Sequence, residues 1–171
     1  KEIKKSYEIL KKNQKKPKIT IMQCVSEYPA PINEMNINVL KTFKKIFKCQ
    51  VGLSDHSIGN EAALAAVSLG ATVIEKHFTI NKNLPGPDHK ASLSPKELED
   101  FVKSIRRLEL SLGSGEKKIT LSEKKNLKTI RRGIVAKFAI KKGTIIKKNM
   151  ICFKRPFTGL NPFEFKKILG L

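Results

Sequence analysis

The sequence predicts an α/β fold built on a parallel sheet, and two observations lead there. Short apolar, β-branched runs alternate three times in succession with segments of helical periodicity, at ITIMQC, CQVGLSDH and ATVIEKHF. Consecutive β–α units of this kind imply parallel pairing, because each helix carries the chain back to the same end of the sheet. Each run also ends in polar residues, where a strand buried on both faces would stay apolar.

The elements follow in order. Residues 2–13 place Ile3, Tyr7 and Leu10 at helical spacing, and Pro17 ends that helix. The run at 19–24 is the first strand, broken by YPAP at 28–31. Val39, Leu40, Phe43 and Phe47 form an apolar stripe that predicts a helix over 33–47. Residues 49–56 are the second strand; Asn60 is placed to cap the next helix, and Gly70 to close it. Residues 71–78 are the third strand. After the loop NKNLPGPDHKAS, the residues Ser94, Pro95 and Glu97 predict a capping box with proline at the first helical position, and Gly113 ends that helix. Residues 114–128 are polar and read as a linker. From residue 129 the pattern alternates around a turn at Lys142-Gly143, which predicts a small, separate β-rich module.

Composition narrows the function. Hydrophobic residues are 40% of the chain, enough for a packed core. The net charge of +20 suggests nucleic acid, but only five of the 35 basic residues are arginines, and no aromatic platform is interleaved with them. A solvated, lysine-biased surface is the expectation, without nucleic acid as partner. No run of about 18 apolar residues is present, so no membrane span is expected. Three widely spaced cysteines with no CxxC pair fit a reducing cytoplasm and argue against a thiolate-built metal site. The chain begins without Met or an apolar leader, which reads as a cytoplasmic fragment.

Chemistry gathers at the strand ends. The first strand runs into Ser26, Glu27 and Tyr28, the second into Ser54, Asp55 and His56, the third into Glu75 and His77. Strand alternation puts Ser54 with His56 on one face, and Glu75 with His77 on one face. Either histidine alone reads as a core imidazole satisfied by a carbonyl. Paired on neighbouring strand ends beside carboxylates, they suit a hard or borderline divalent ion such as Mn²⁺. Glu75 could orient one imidazole or bind substrate; a salt bridge with Lys76 or Lys90 is its alternative. Asp88, beyond the third strand, could face the same pocket or simply make a turn.

The stretch GLSDHSIGNEAALAAVSLGATVIEKHFTINKNLPGPDHKASLSPKEL resembles the second half of the barrel of the sialic acid (N-acetylneuraminate) synthase family. CVSEYPAP resembles that family's preceding strand end, and IKKGTIIKKNMICFKRPFTG its C-terminal antifreeze-like (SAF) domain. The resemblance implies a partial (β/α)8 TIM barrel, its last three β–α units, over residues 1–113. It implies an incomplete SAF domain over 129–171, and a homodimer with swapped C-terminal domains.

The implied reaction joins phosphoenolpyruvate to N-acetylmannosamine, or to a related amino sugar such as a diacetamido-trideoxy hexose. By the same resemblance His56 and His77 are ligands of Mn²⁺, with Mg²⁺ or Co²⁺ as substitutes. Ser26 and Ser54 fall at phosphate contacts, Tyr28 and Asp88 at the sugar, and Glu75 beside the metal, with Glu75 and Asp88 in catalytic roles. Arg155 matches an arginine sent into the partner's site; without the resemblance it reads as a surface charge. The family's chains are about twice this length, so the fragment is expected to be inactive alone. A basic binding module or an inactive structural remnant is the alternative.

Overall fold

The computed structural model describes residues 1–12 and 17–171. They form two compact units, residues 1–115 and 116–171.

In the first unit, α1 (Glu2–Lys12) precedes β1 (Thr20–Cys24), α2 (Val39–Phe47), β2 (Gln50–Asp55), α3 (Glu61–Ser68), β3 (Val73–Lys76) and α4 (Pro95–Leu112). The last residue of the predicted first helix, Asn13, lies outside the described residues. The sheet order is β1-β2-β3 with both pairings parallel, as the β–α alternation requires.

Because strand residues alternate, β2 turns Val51, Leu53 and Asp55 to one face and Gly52 and Ser54 to the other. The first face carries the core: Val51 and Leu53 pack with Leu40 and Phe43 of α2, Ala63 and Ala66 of α3, and Phe101 of α4. On the second face, Gly52 lets β3 come close, since a Cβ there would lie 2.6 Å from the Val73 carbonyl oxygen. Cys24, Val73 and Glu75, in register with Ser54, Gly52 and Ser54 respectively, are exposed there.

Local signals set the helix ends. The Gly70 N–H bonds to the Val67 carbonyl and the Ala71 N–H to that of Ala66, with Gly70 at φ 84°. This pair of bonds is a Schellman closure, and the positive φ is why glycine stands there. The other end of α3 departs from expectation: the Asn60 side chain makes no capping bond, and the Glu61 carboxylate takes the Asn60 N–H instead. The predicted helix over 33–47 is shorter, a 3₁₀ turn at Ile32–Glu34 preceding α2.

The capping box of α4 is formed as predicted, with Pro95 at its start. Lys82 donates to Glu97 and so does the Ser94 N–H; these bonds hold the Glu97 carboxyl down at about 2. A lowered folded-state value contributes stability above the ordinary value of about 4.3, and that contribution is lost as pH falls toward 2. Glu97→Gln should therefore lower the urea midpoint at neutral pH, with the difference from wild type shrinking by about pH 3. A pH-independent difference would contradict this.

The second unit holds α5 (Leu121–Ile130), an antiparallel pair β4 (Gly133–Ala136) and β5 (Ile151–Lys154), and α6 (Phe165–Ile168). Its turn at Lys142-Gly143 is present, with Gly143 at φ 83°. The unit is less β-rich than its alternation suggests. Most of the stretch read as linker is helical: Thr120 and Glu123 form a capping box that starts α5. No residue of α5 is buried, so the apolar stripe that reveals a helix in sequence is missing. Among the described residues no helix is long and apolar enough to cross a membrane.

Candidate active site

The uncovered face of the parallel sheet collects the polar residues of the strand ends. Cys24, Ser54 and Glu75 stand in one row across β1, β2 and β3. Within that row Ser54 Oγ donates to Glu75 Oε1 at 2.5 Å. Two residues beyond, His56 and His77 come together with ring centroids 5.4 Å apart. Tyr28 joins them, stacked on His56 at 3.9 Å and tilted against His77 at 4.6 Å.

His56 is fixed from several directions. Its Nδ1 lies 2.7 Å from the Val25 carbonyl oxygen, its Nε2 lies 2.7 Å from the Tyr28 hydroxyl, and its own carbonyl accepts the Ala30 N–H at 2.9 Å. His77 is half-buried, and its carbonyl accepts the Leu93 N–H, which ties the end of β3 to the loop before α4. Among the described residues no three His, Cys, Asp or Glu side chains gather as a metal cage, so two imidazoles are the nitrogen donors the site offers.

Partial loss of its water shell holds the Tyr28 phenol above its ordinary value, with Cys24, Asp88 and Glu75 adding to the shift. The phenol is therefore a hydrogen-bond donor at neutral pH, and the charges of Asp88 and Glu75 both act on it. Asp88 is exposed; its carbonyl accepts both the N–H and the hydroxyl of Ser92, which shapes the GPDHKAS loop. The same loop is pinned by His89, whose Nδ1 is 2.7 Å from the hydroxyl of buried Thr79. Ser26 is exposed just after β1. Arg155 belongs to the second unit, exposed after β5.

Two features escape the sequence reading. Cys24 Sγ lies 3.9 and 4.0 Å from the two ring nitrogens of His56, so a thiol borders the imidazole pair. The other is a buried ion pair on the helix-covered face. Lys76 bonds to Asp55 at 2.8 Å, with side chains 5% and 0% exposed, so Lys76 is not the partner of Glu75. Neighbours on a strand point to opposite faces, which separates Lys76 from Glu75. A cavity of about 390 Å³ lined by Ser57, Lys76, Lys82, Lys90 and Glu97 contains none of Cys24, Tyr28, Ser54, Glu75 and His77.

Comparison with known proteins gives this geometry its context. Residues 1–117 match the model of the NeuB family. The chain belongs to the NeuB family. Its NeuB relatives include the N,N'-diacetyllegionaminic acid synthase of Campylobacter jejuni, 46% identical over 170 residues, covering 99% of this chain and 51% of that protein. Human N-acetylneuraminate-9-phosphate synthase is 37% identical over 153 residues, covering 89% and 42%. Among solved NeuB-type structures, the N-acetylneuraminic acid synthetase of Leptospira borgpetersenii matches with a TM-score of 0.64 at 37% identity, over 73% of this chain and 43% of that one. A spore coat polysaccharide biosynthesis protein of Bacillus subtilis matches with a TM-score of 0.59 at 35% identity, over 98% and 51%. The chain thus spans about half the length of the relatives it matches. The legionaminic acid, N-acetylneuraminate-9-phosphate and N-acetylneuraminic acid enzymes among these relatives are synthases of nonulosonic acids, and the two solved structures share this chain's α/β architecture.

Proposed function

We propose that this chain carries the metal- and sugar-binding part of a nonulosonic acid synthase. The observation that carries the reading is the meeting of His56, His77 and Tyr28 on the open face of the strand ends. Active sites of β/α barrels are built at that end, and a (β/α)8 barrel, of which this chain supplies the last three β–α units, followed by an antifreeze-like domain belongs to the proposal.

The donor set fits a divalent ion with open positions. Two nitrogens on one ion stand no more than about 4 Å apart, which rings with centroids 5.4 Å apart can satisfy. The Val25 carbonyl fixes the His56 tautomer, as carbonyls commonly do for ligating histidines. His56 and His77 would hold Mn²⁺, or Mg²⁺ or Co²⁺, leaving the remaining positions to oxygens of water and substrate. When bound, the ion supplies Lewis-acid polarisation of the open-chain sugar's aldehyde oxygen.

The chain's residues then divide the work. Tyr28 and Asp88 hold the hydroxyls or amide of the acceptor sugar, N-acetylmannosamine or a diacetamido-trideoxy hexose. Ser54, with Ser26, contacts the phosphate of phosphoenolpyruvate. Glu75 orients the Ser54 hydroxyl through its hydrogen bond and presents a carboxylate beside the imidazoles. In the reaction the enol carbon of phosphoenolpyruvate bonds to the aldehyde carbon, whose oxygen takes a proton. Water adds to the resulting cation and phosphate leaves. Arg155, delivered to the partner in a homodimer with exchanged C-terminal domains, adds a cation there. A cytoplasmic setting completes the proposal.

The test uses the protein expressed from its complete gene. After stripping with EDTA, phosphate release from phosphoenolpyruvate should require both an N-acetylated amino sugar and restored Mn²⁺. Release that ignores the metal, or none with any acceptor of this class, would overturn the proposal.

A further inference from the structure

His56 has one lone pair to give. The Val25 carbonyl oxygen only accepts hydrogen bonds, so Nδ1, 2.7 Å away, carries the ring proton and Nε2 carries the lone pair. Three groups stand near Nε2: the Tyr28 hydroxyl at 2.7 Å, Ser54 Oγ at 3.4 Å and Cys24 Sγ at 4.0 Å. The Ser54 proton is directed to Glu75. The Cys24 thiol is a weak donor at the limit of a sulfur contact. Tyr28 therefore donates to Nε2 while its ring lies over the imidazole.

We propose that Tyr28 is a displaceable cap on the imidazole pair, its phenol competing with a divalent cation for the single lone pair of His56. This rests on the reading of His56 and His77 as ligands. Cation entry requires the phenol to leave Nε2, and the released hydroxyl becomes free to bond the incoming sugar. Loading the ion thus prepares the acceptor site. A site that is capped part of the time binds more weakly than its intrinsic affinity, in proportion to its open fraction.

The contest has a measurable sign. Tyr28→Phe keeps the ring and its stacking but removes the donor, and Tyr28 is 41% exposed, outside the packed core. Calorimetric titration of Mn²⁺ into the metal-stripped full-length protein should show Tyr28→Phe binding about fivefold more tightly than wild type, the effect of one net hydrogen bond. If Tyr28 instead supports the ion or merely packs, the variant binds equally or more weakly, and the cap is overturned. His56→Gln and His77→Gln separate the two readings. Loss of Mn²⁺ binding in both, with unchanged affinity in Tyr28→Phe, rejects the cap alone. Undiminished binding in the histidine variants rejects the ligand assignment and the cap with it.

Discussion

On the proposed function, His77→Ala in the full-length protein should lower kcat/KM for nonulosonic acid formation about a thousandfold, the loss of several kcal/mol of charge stabilisation at the aldehyde oxygen. Its fold should be unaffected. The His77 side chain lies outside the apolar cluster of Leu53, Ala66 and Phe101, and the backbone carbonyl that accepts the Leu93 N–H survives in alanine. Circular dichroism and a thermal midpoint close to wild type would establish that the variant is folded. Added Mn²⁺ should then fail to restore turnover at concentrations that saturate wild type. Near-normal turnover at any Mn²⁺ concentration would remove His77 from the metal site and leave it a structural histidine, the meaning it has when taken alone. His56→Ala is less clean, because it also strips a partner from the Tyr28 hydroxyl and a donor from the Val25 carbonyl.

The parts of this site that were legible in the sequence are those governed by short-range rules. Period-two alternation places Ser54 and Glu75 on the open face, and the parallel register then aligns them as neighbours. Ser94, Pro95 and Glu97 announce α4 because a capping box is complete within four residues. What stayed hidden depends on contacts across the sheet or on loops that fold back. Alternation separates Lys76 from Glu75, but nothing local says that Lys76 turns to Asp55, 21 residues earlier. The approach of Tyr28 to both histidines is set by the path of residues 25–30, which ends with the Ala30 N–H on the His56 carbonyl. Helix α5 was hidden for a different reason: its cap is readable in Thr120 and Glu123, but with no buried face its polarity resembles a linker's.

Lys76→Met should destabilise the protein by about 3–5 kcal/mol, because it strands a buried carboxylate. Asp55 Oδ2 receives Lys76 at 2.8 Å, and Oδ1 receives the N–H and hydroxyl of Ser57 at 2.9 and 2.6 Å. Lys76 in turn donates to the Ser57 carbonyl at 2.7 Å. The network is closed, and every member loses a partner if one is removed. Replacing the pair by apolar residues would not recover the loss as it can for an isolated buried pair, because the N–H, hydroxyl and carbonyl of Ser57 would still lack partners. Urea midpoints for Lys76→Met, Asp55→Asn and the double variant give a coupling of about 1–3 kcal/mol if the network acts as a unit. A cost below about 1 kcal/mol for Lys76→Met would mean that water reaches Asp55 and that the pair is not buried in solution. The consequence extends to the opposite face. Asp55 and Ser57 flank His56, and their bonds to Lys76 clamp both neighbours of that imidazole. Any Lys76 variant that still folds should therefore bind Mn²⁺ more weakly, although Lys76 lies on the face turned away from the imidazoles.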